Sequence, residues 1–300
     1  MKIILFGSDG QVGRELKTTL LELGDVTSLV RSDVDFRDLQ KLREVVRFRQ
    51  PDLIVNAAAY TAVDQAESDP GTAKLVNADA VSVLAQEAKL LGAWLVHYST
   101  DYVFNGQKAE PYLENDAPDP LSLYGKTKLQ GEQAITSHHD KFLIFRTSWV
   151  YSLQGKNFAL AILKAAFEKD KIEIVADQMG VPTSAVFLAE MTLKALHKAM
   201  EYKENASRYS GLYHLVPNGR TDRYAYARYL IEQVRTKTEG VIVAPENILA
   251  IDSHTYPSLA KRPQNSLLDT QKFESTFGIC LPSWQYHVDC MIDDWARQKN

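Results

Sequence analysis

The N-terminus carries the strongest constraint on the fold. Ile3-Ile4-Leu5-Phe6 is an unbroken apolar run, as a strand buried on both faces of a parallel sheet requires. Gly7-Ser8-Asp9-Gly10-Gln11-Val12-Gly13 follows at once, and a helical pattern then runs over residues 14–23. Strand, glycine turn and helix in that order form the opening of a dinucleotide-binding βαβ unit, here spaced GxxGxxG rather than GxGxxG. Gly7 permits the tight turn. Gly10 lets backbone N–H groups approach a pyrophosphate at the helix N-terminus, and Gly13 lets helix and strand pack closely. The competing explanation is a glycine-rich turn without a ligand. Asp9 is a discord, since a carboxylate repels phosphate unless it points outward or caps the helix.

Alternation continues through the first half. Residues 26–30, a very short 34–36, 53–56, 94–98 and 142–147 have strand character, with helical patterns at 38–49, 70–91 and 124–136. The expected fold class is α/β: a Rossmann-type doubly wound parallel sheet in residues 1–150, with a second, smaller α/β substrate domain mainly in 151–300. Segments around 172–200 are candidates to return to the first domain. The second half is less regular, with helices at 157–167, 184–200, 221–234 and 281–297 and short strands at 172–175 and 213–216. A loop at 178–183 carries Gly and Pro, and an irregular loop at 256–263 carries Lys261-Arg262.

Ligand sites in open parallel sheets lie at the C-terminal strand edge, so residues there are the candidates. Arg31 and Ser32 stand about where the ribose selector falls, ~20 residues beyond the glycines. They suit a 2′-phosphate, whereas Asp33 keeps NAD open, and a solvated strand-end arginine explains Arg31 equally well. Asp35 suits the adenine amino group, and Phe36 either packs on that ring or is plain core. Ala57-Ala58-Ala59 offers small side chains where a cofactor crosses the edge, and Tyr60-Thr61-Ala62-Val63 continues as loop.

The chemistry sits in Tyr98-Ser99-Thr100-Asp101-Tyr102-Val103-Phe104 and Tyr124-Gly125-Lys126-Thr127-Lys128. Tyr124 and Lys128, four apart, project from one helix face. A free phenol has a pKa near 10, and bringing it near neutrality takes ~3 units, or ~4 kcal/mol favouring the phenolate. An ammonium one turn away acts in that direction. Thr100 can bond and orient a carbonyl oxygen while Tyr124 protonates it and a nicotinamide delivers hydride. A Tyr-x-x-x-Lys pair alone is usually a surface pair, and a lone strand-end Thr is usually satisfied by backbone. Their position behind a phosphate turn is what favours the catalytic reading.

Length and composition allow a sizeable core without staples, at 45% hydrophobic and 24% charged residues. A net charge of −4 with scattered Lys and Arg gives no footprint for nucleic acid. Cys280 and Cys290 show no metal or redox spacing, and two thiols in a reducing cytosol are expected rather than a disulfide. The leading apolar run is too short for a signal peptide, and no run approaches the ~18 apolar residues of a membrane span. A cytoplasmic protein without a membrane partner is expected.

Several runs together resemble the dTDP-4-dehydrorhamnose reductase family of extended short-chain dehydrogenase/reductases. These are the glycine turn, Asn56-Ala57-Ala58-Ala59-Tyr60-Thr61-Ala62-Val63-Asp64-x-Ala66-Glu67, the Ser99–Phe104 stretch and the Tyr124/Lys128 pair. Phe145-Arg146-Thr147-Ser148-Trp149-Val150-Tyr151 and Arg262-Pro263-x-Asn265-Ser266 complete the likeness, which spans nearly the whole chain. The resemblance implies reduction of the 4-keto group of dTDP-4-dehydro-6-deoxy-L-mannose to dTDP-L-rhamnose with NADPH or NADH. It implies Tyr124 as proton donor, Lys128 as the partner that lowers its pKa and Thr100 as the tuning hydroxyl. Gly10, Gln11, Val12, Arg31, Asp35, Phe36, Ala59, Tyr60 and Thr61 would line the cofactor. Val63, Thr100, Asp101, Tyr102 and Trp149 would meet the dTDP-sugar, with Lys261-Arg262 as a diphosphate clamp; core packing is the alternative for Trp149. Glu15 matches one carboxylate of the magnesium bridge through which some members dimerise, but Val186 stands where another acid is expected. No metal site is assigned, Mg2+ stays doubtful, and monomer and homodimer stay open. A nucleotide-sugar epimerase or dehydratase that retains NAD, and a non-catalytic regulatory subunit, are the alternatives.

Overall fold

The structure, a computed structural model, describes residues 1–201, 206–255 and 258–299. Tyr256 and Pro257, at the start of the expected irregular loop, lie outside the described residues. Five strands come from the first half: β1 (Lys2–Phe6), β2 (Asp25–Leu29), β3 (Leu53–Asn56), β4 (Trp94–Thr100) and β5 (Phe142–Thr147). With the Gly211–His214 strand they form one six-stranded parallel sheet, ordered Gly211–His214, β5, β4, β3, β1, β2. The chain runs from β1 outward to β2 and then crosses back to β3 on the other side of β1. The C-terminal ends of β1 and β3 therefore flank a crevice, the topological switch point of a Rossmann-type sheet.

Side chains alternate across this sheet, as strand geometry demands. Ile3, Leu5, Leu53, Val55 and Val96 face one core, closed by Phe187, Leu188 and Met191 of the Ala185–Glu201 helix. Ile4, Phe6, Ile54 and Leu95 face the other, closed by Leu42 and Val46 of the Leu39–Arg49 helix and by Leu84 of the Ala80–Leu91 helix. A third core lies among the Phe158–Glu168, Arg223–Lys237 and Trp284–Lys299 helices. Beside it the expected Ile172–Val175 strand pairs in parallel with Ile248–Ile251, a strand the sequence pattern did not reveal.

Three expectations change. Residues 34–36 form no strand: Val34 N–H donates to Val30 O and Asp38 N–H to Asp35 O, so this turn satisfies its own backbone. The single helix expected at 70–91 is interrupted by a wider, π-type turn at Leu75–Asp79. That turn holds Asn77, whose amide takes the Tyr60 N–H at 2.8 Å and donates to Tyr60 O and Thr127 Oγ1. The strand expected at 213–216 runs instead over Gly211–His214, beside β5.

The helix Leu123–His138 is seated by a buried ion pair. Glu132 accepts Arg146 Nε at 2.9 Å and Arg146 Nη2 at 2.7 Å, and Ser99 Oγ at 2.5 Å. Both charged side chains are only 3% exposed. Glu132→Ala leaves the Arg146 guanidinium buried without a counter-charge. The expected loss is about 3–5 kcal/mol of unfolding free energy, measured by denaturant titration; a loss under about 1 kcal/mol contradicts this role.

Candidate active site

Gly7 is the point at which the sheet meets the site. Its φ is +73°, which L side chains rarely adopt. A Cβ there would stand 2.6 Å from Ala58 N, so only glycine lets the turn lie against the end of β3. The helix Gln11–Thr19 then starts with Gly10 at its N-cap and no side-chain cap. Its first N–H groups are thus left to an anion, as dinucleotide turns require.

A cavity of about 850 Å³ opens over this turn. Its lining includes Gly7, Gly10, Gln11, Val12, Arg31, Asp35, Phe36, Ala57, Ala58, Ala59, Tyr60 and Thr61 on one side. Val63, Thr100, Asp101, Tyr102, Tyr124, Lys128 and Trp149 line the same cavity. Gly13, Lys261 and Arg262, all expected there, are absent from its wall. Gly13 packs inward, where a Cβ would stand 2.0 Å from Gly7 O. Arg262 is held at 2.8 Å by Asp64 and also bonds Ser258. Lys261 is exposed.

At the β2 end of the cavity, Asp35 is engaged by cations of this chain. Arg37 approaches it at 2.6 Å and Arg31 at 3.4 Å, and the Arg37 hydrogen bonds hold its carboxyl well below the usual range. Arg37, also on the cavity wall, was missed in the sequence because it follows the selector position by six residues. Phe36 is buried with its ring edge-on to Phe6 at 5.3 Å. The uncapped helix, the small Ala57–Ala59 side chains and the two arginines together fit a nicotinamide dinucleotide.

At the reacting end, Ser122 caps the Leu123–His138 helix by accepting Gly125 N–H at 3.1 Å. Gly125 allows that helix to touch the Asp101–Val103 turn that follows β4, since a Cβ would stand 2.2 Å from Tyr102 O. The Tyr124 and Tyr102 rings meet edge to face at 5.6 Å. Burial pushes the Tyr124 phenol above its ordinary pKa, against a hydrogen bond with Thr100, and the nearby Asp101 charge adds to the rise. The phenol is therefore a held acid. Lys128 is 2% exposed. Its Nζ donates to Tyr98 O at 2.6 Å and lies 3.2 Å from His97 Nε2. Burial lowers its pKa to about 8, with Glu132 opposing. The rise in the phenol's pKa comes mainly from burial, with the neighbouring Asp101 and Tyr102 adding to it and the Thr100 hydrogen bond opposing.

Trp149 stands at φ +44°, a strained conformation for a bulky residue. The Arg223 guanidinium stacks over its ring at 4.2 Å and lines the cavity. Arg223 Nε bonds Gln178 Oε1 at 3.2 Å, a neutral partner. Arg223 was missed in the sequence because it is one arginine in the first turn of an otherwise ordinary capped helix.

Asp101 carries a pH dependence. It is buried, accepts Ser266 Oγ at 2.5 Å and Thr100 Oγ1 at 3.1 Å, and burial raises its pKa from 3.8 to about 6. The folded state thus binds a proton more tightly than the unfolded chain. This contribution is present below pH 3.8 and is lost as pH rises through about 6. Asp101→Asn should flatten the change in unfolding free energy across that window by about 3 kcal/mol. Denaturant titrations at both ends of the window measure it; an unchanged slope contradicts the assignment.

The sequence model of the RmlD substrate binding domain family matches residues 1–297. The dTDP-4-dehydrorhamnose reductase of Escherichia coli K12 is 45% identical, over 98% of this chain and 98% of its own. That of Burkholderia thailandensis is 42% identical, over 99% and 100%. A crystal structure of the Bacillus anthracis dTDP-4-dehydrorhamnose reductase in complex with NADP superposes with a TM-score of 0.88 at 30% identity, covering 98% of this chain and 99% of that one. The glycine cradle, the Tyr124 phenol and the buried Lys128 on one cavity wall, and likeness over nearly the full length lead to one assignment: the chain belongs to the dTDP-4-dehydrorhamnose reductase family.

Proposed function

We propose that the chain reduces the 4-keto group of dTDP-4-dehydro-6-deoxy-L-mannose to dTDP-L-rhamnose, with NADPH or NADH as reductant. The observation that carries this is the shared cavity: Tyr124, Thr100 and Lys128 line the same space as the glycine turn. A reduced nicotinamide bound there supplies hydride to the carbonyl carbon. The remaining steps belong to the chain. The Tyr124 phenol, kept protonated by burial, gives its proton to the carbonyl oxygen as charge develops on it. Thr100 holds that oxygen in line. Lys128, one helical turn away, offsets the phenolate left behind when it carries its proton.

The nucleotide end follows from charge. Arg262 is paired with Asp64 and lies off the cavity wall, so the diphosphate is assigned to Arg223, which lines the cavity and bonds the uncharged Gln178 amide. Trp149 holds the Arg223 plane by stacking, and Val63, Asp101 and Tyr102 complete the sugar pocket. Arg31 and Arg37 together suit a 2′-phosphate, which favours NADPH while leaving NADH usable.

Purified protein should oxidise NADPH and NADH when given the 4-keto sugar nucleotide, followed by nicotinamide absorbance. Tyr124→Phe should lower kcat by about a hundred- to ten-thousand-fold; full turnover would remove the proposed acid. Arg223→Met should raise KM for the sugar nucleotide by about ten- to a hundred-fold with a smaller change in kcat. An unaltered KM returns the diphosphate to another residue.

A further inference from the structure

One buried titratable residue next to the site has no part in the mechanism above. His97, on β4, is fully buried and is not on the cavity wall. Its two ring nitrogens face Asn56 Nδ2 at 3.1 Å and Lys128 Nζ at 3.2 Å. The orientation of the Asn56 amide follows from a third contact, since its Oδ1 accepts the Ala58 N–H at 3.1 Å. With Oδ1 committed, Asn56 presents only N–H donors to His97.

Hydrogen-bond bookkeeping then runs in one direction. Nδ1 must accept, so the neutral ring carries its proton on Nε2. Nε2–H in turn needs an acceptor, and the group in front of it is Lys128 Nζ. An amine has a lone pair to offer there; an ammonium sets donor against donor. The opposite tautomer would satisfy an ammonium, but it needs the Asn56 amide turned over, which sets its NH2 against Ala58 N–H. A charged imidazolium is disfavoured by burial and by the neighbouring Lys128, which hold His97 well below its usual range.

We infer that His97 is a positioning residue that draws the Lys128 nitrogen toward its neutral amine form, with Asn56 and Ala58 N–H fixing the tautomer that does so. The inference rests on the reading of Lys128 as the partner of Tyr124. The other groups facing Lys128 do not supply this bias. Tyr98 O accepts from either form, and Glu132 favours the ammonium while spending its oxygens on Arg146 and Ser99. Tyr124 is a neutral phenol on the same helix. Asn77 and Thr127 bond each other and the Tyr60 and Tyr124 backbones. An amine that is easily protonated and deprotonated can exchange a proton with the phenol inside a closed site, which a permanent ammonium cannot do.

Two measurements test this without substrate, so they stand whether or not the reductase reading holds. In wild-type protein labelled with 15N-histidine, the imidazole spectrum should show His97 protonated on Nε2 and bare on Nδ1 at neutral pH. A proton on Nδ1, or on both nitrogens, overturns the inference. With 13C-labelled lysine, and Lys128→Met to assign the signal, His97→Phe should raise the Lys128 pKa by about one unit, a tenfold change in the amine-to-ammonium ratio. Loss of an acceptor would instead lower it, so a fall or an unchanged value rejects the proposal. His97→Gln, which can accept from Asn56 and donate to Lys128, should restore a value close to wild type. The limb of the kcat/KM profile set by Lys128 should move with the same sign.

Discussion

A single buried carboxylate holds the reacting end of this protein together. Glu132 receives Ser99 from β4 and Arg146 from β5, and so seats the Leu123–His138 helix across two neighbouring strands. Tyr124 and Lys128 lie on that helix, about two turns and one turn before Glu132 respectively. Their distance from the strand edge is therefore set by charge-assisted bonds in a dry environment, which are short and directional. The Arg146 guanidinium also lies 5.0 Å over the Phe104 ring, so the same pair steadies the segment that follows Thr100 and Asp101. A helix held only by apolar packing could slide by a fraction of an ångström, and proton transfer is sensitive to that.

The site separates its charges by how they are engaged. At the β2 end of the cavity, Arg31 and Arg37 share Asp35, which leaves an exposed cationic surface that is already ordered. Across the crevice, Arg262 is locked by Asp64, whereas Arg223 is held flat by Trp149 and bonded to a neutral amide. The nearby Asp101 charge favours the Arg223 guanidinium without forming a direct ion pair with it. The strain at Trp149 fits the same picture. Its left-handed backbone turns the indole toward Gly180, where a Cβ would stand 2.5 Å from the ring, and under Arg223.

Much of this was legible in the chain because the signals are local. The apolar run before Gly7, the glycine spacing and the four-residue interval from Tyr124 to Lys128 each lie within one element and its cap. Most of the residues singled out line one cavity, though Gly13, Ser32, Asp33, Lys261 and Arg262 do not. What escaped has a physical reason in each case. Residues 34–36 look like a strand by composition but close their own turn through Val30 and Asp35. The π-type turn at Leu75–Asp79 has no sequence signature, since it exists to bring Asn77 to the Tyr60 peptide, 17 residues away. The Gly211–His214 strand joins a sheet whose other members all precede residue 148.

Sequence alone determined the βαβ order, the phosphate-type turn and the candidate acid, because periodicity, glycine spacing and helical intervals act over a few residues. Tertiary structure decided which cations are free and which proton sits where. Arg262 meets its acid 198 positions away, and Lys128 finds His97 31 positions back on another element. Pairing and burial between distant segments set those charges, and no local pattern encodes them.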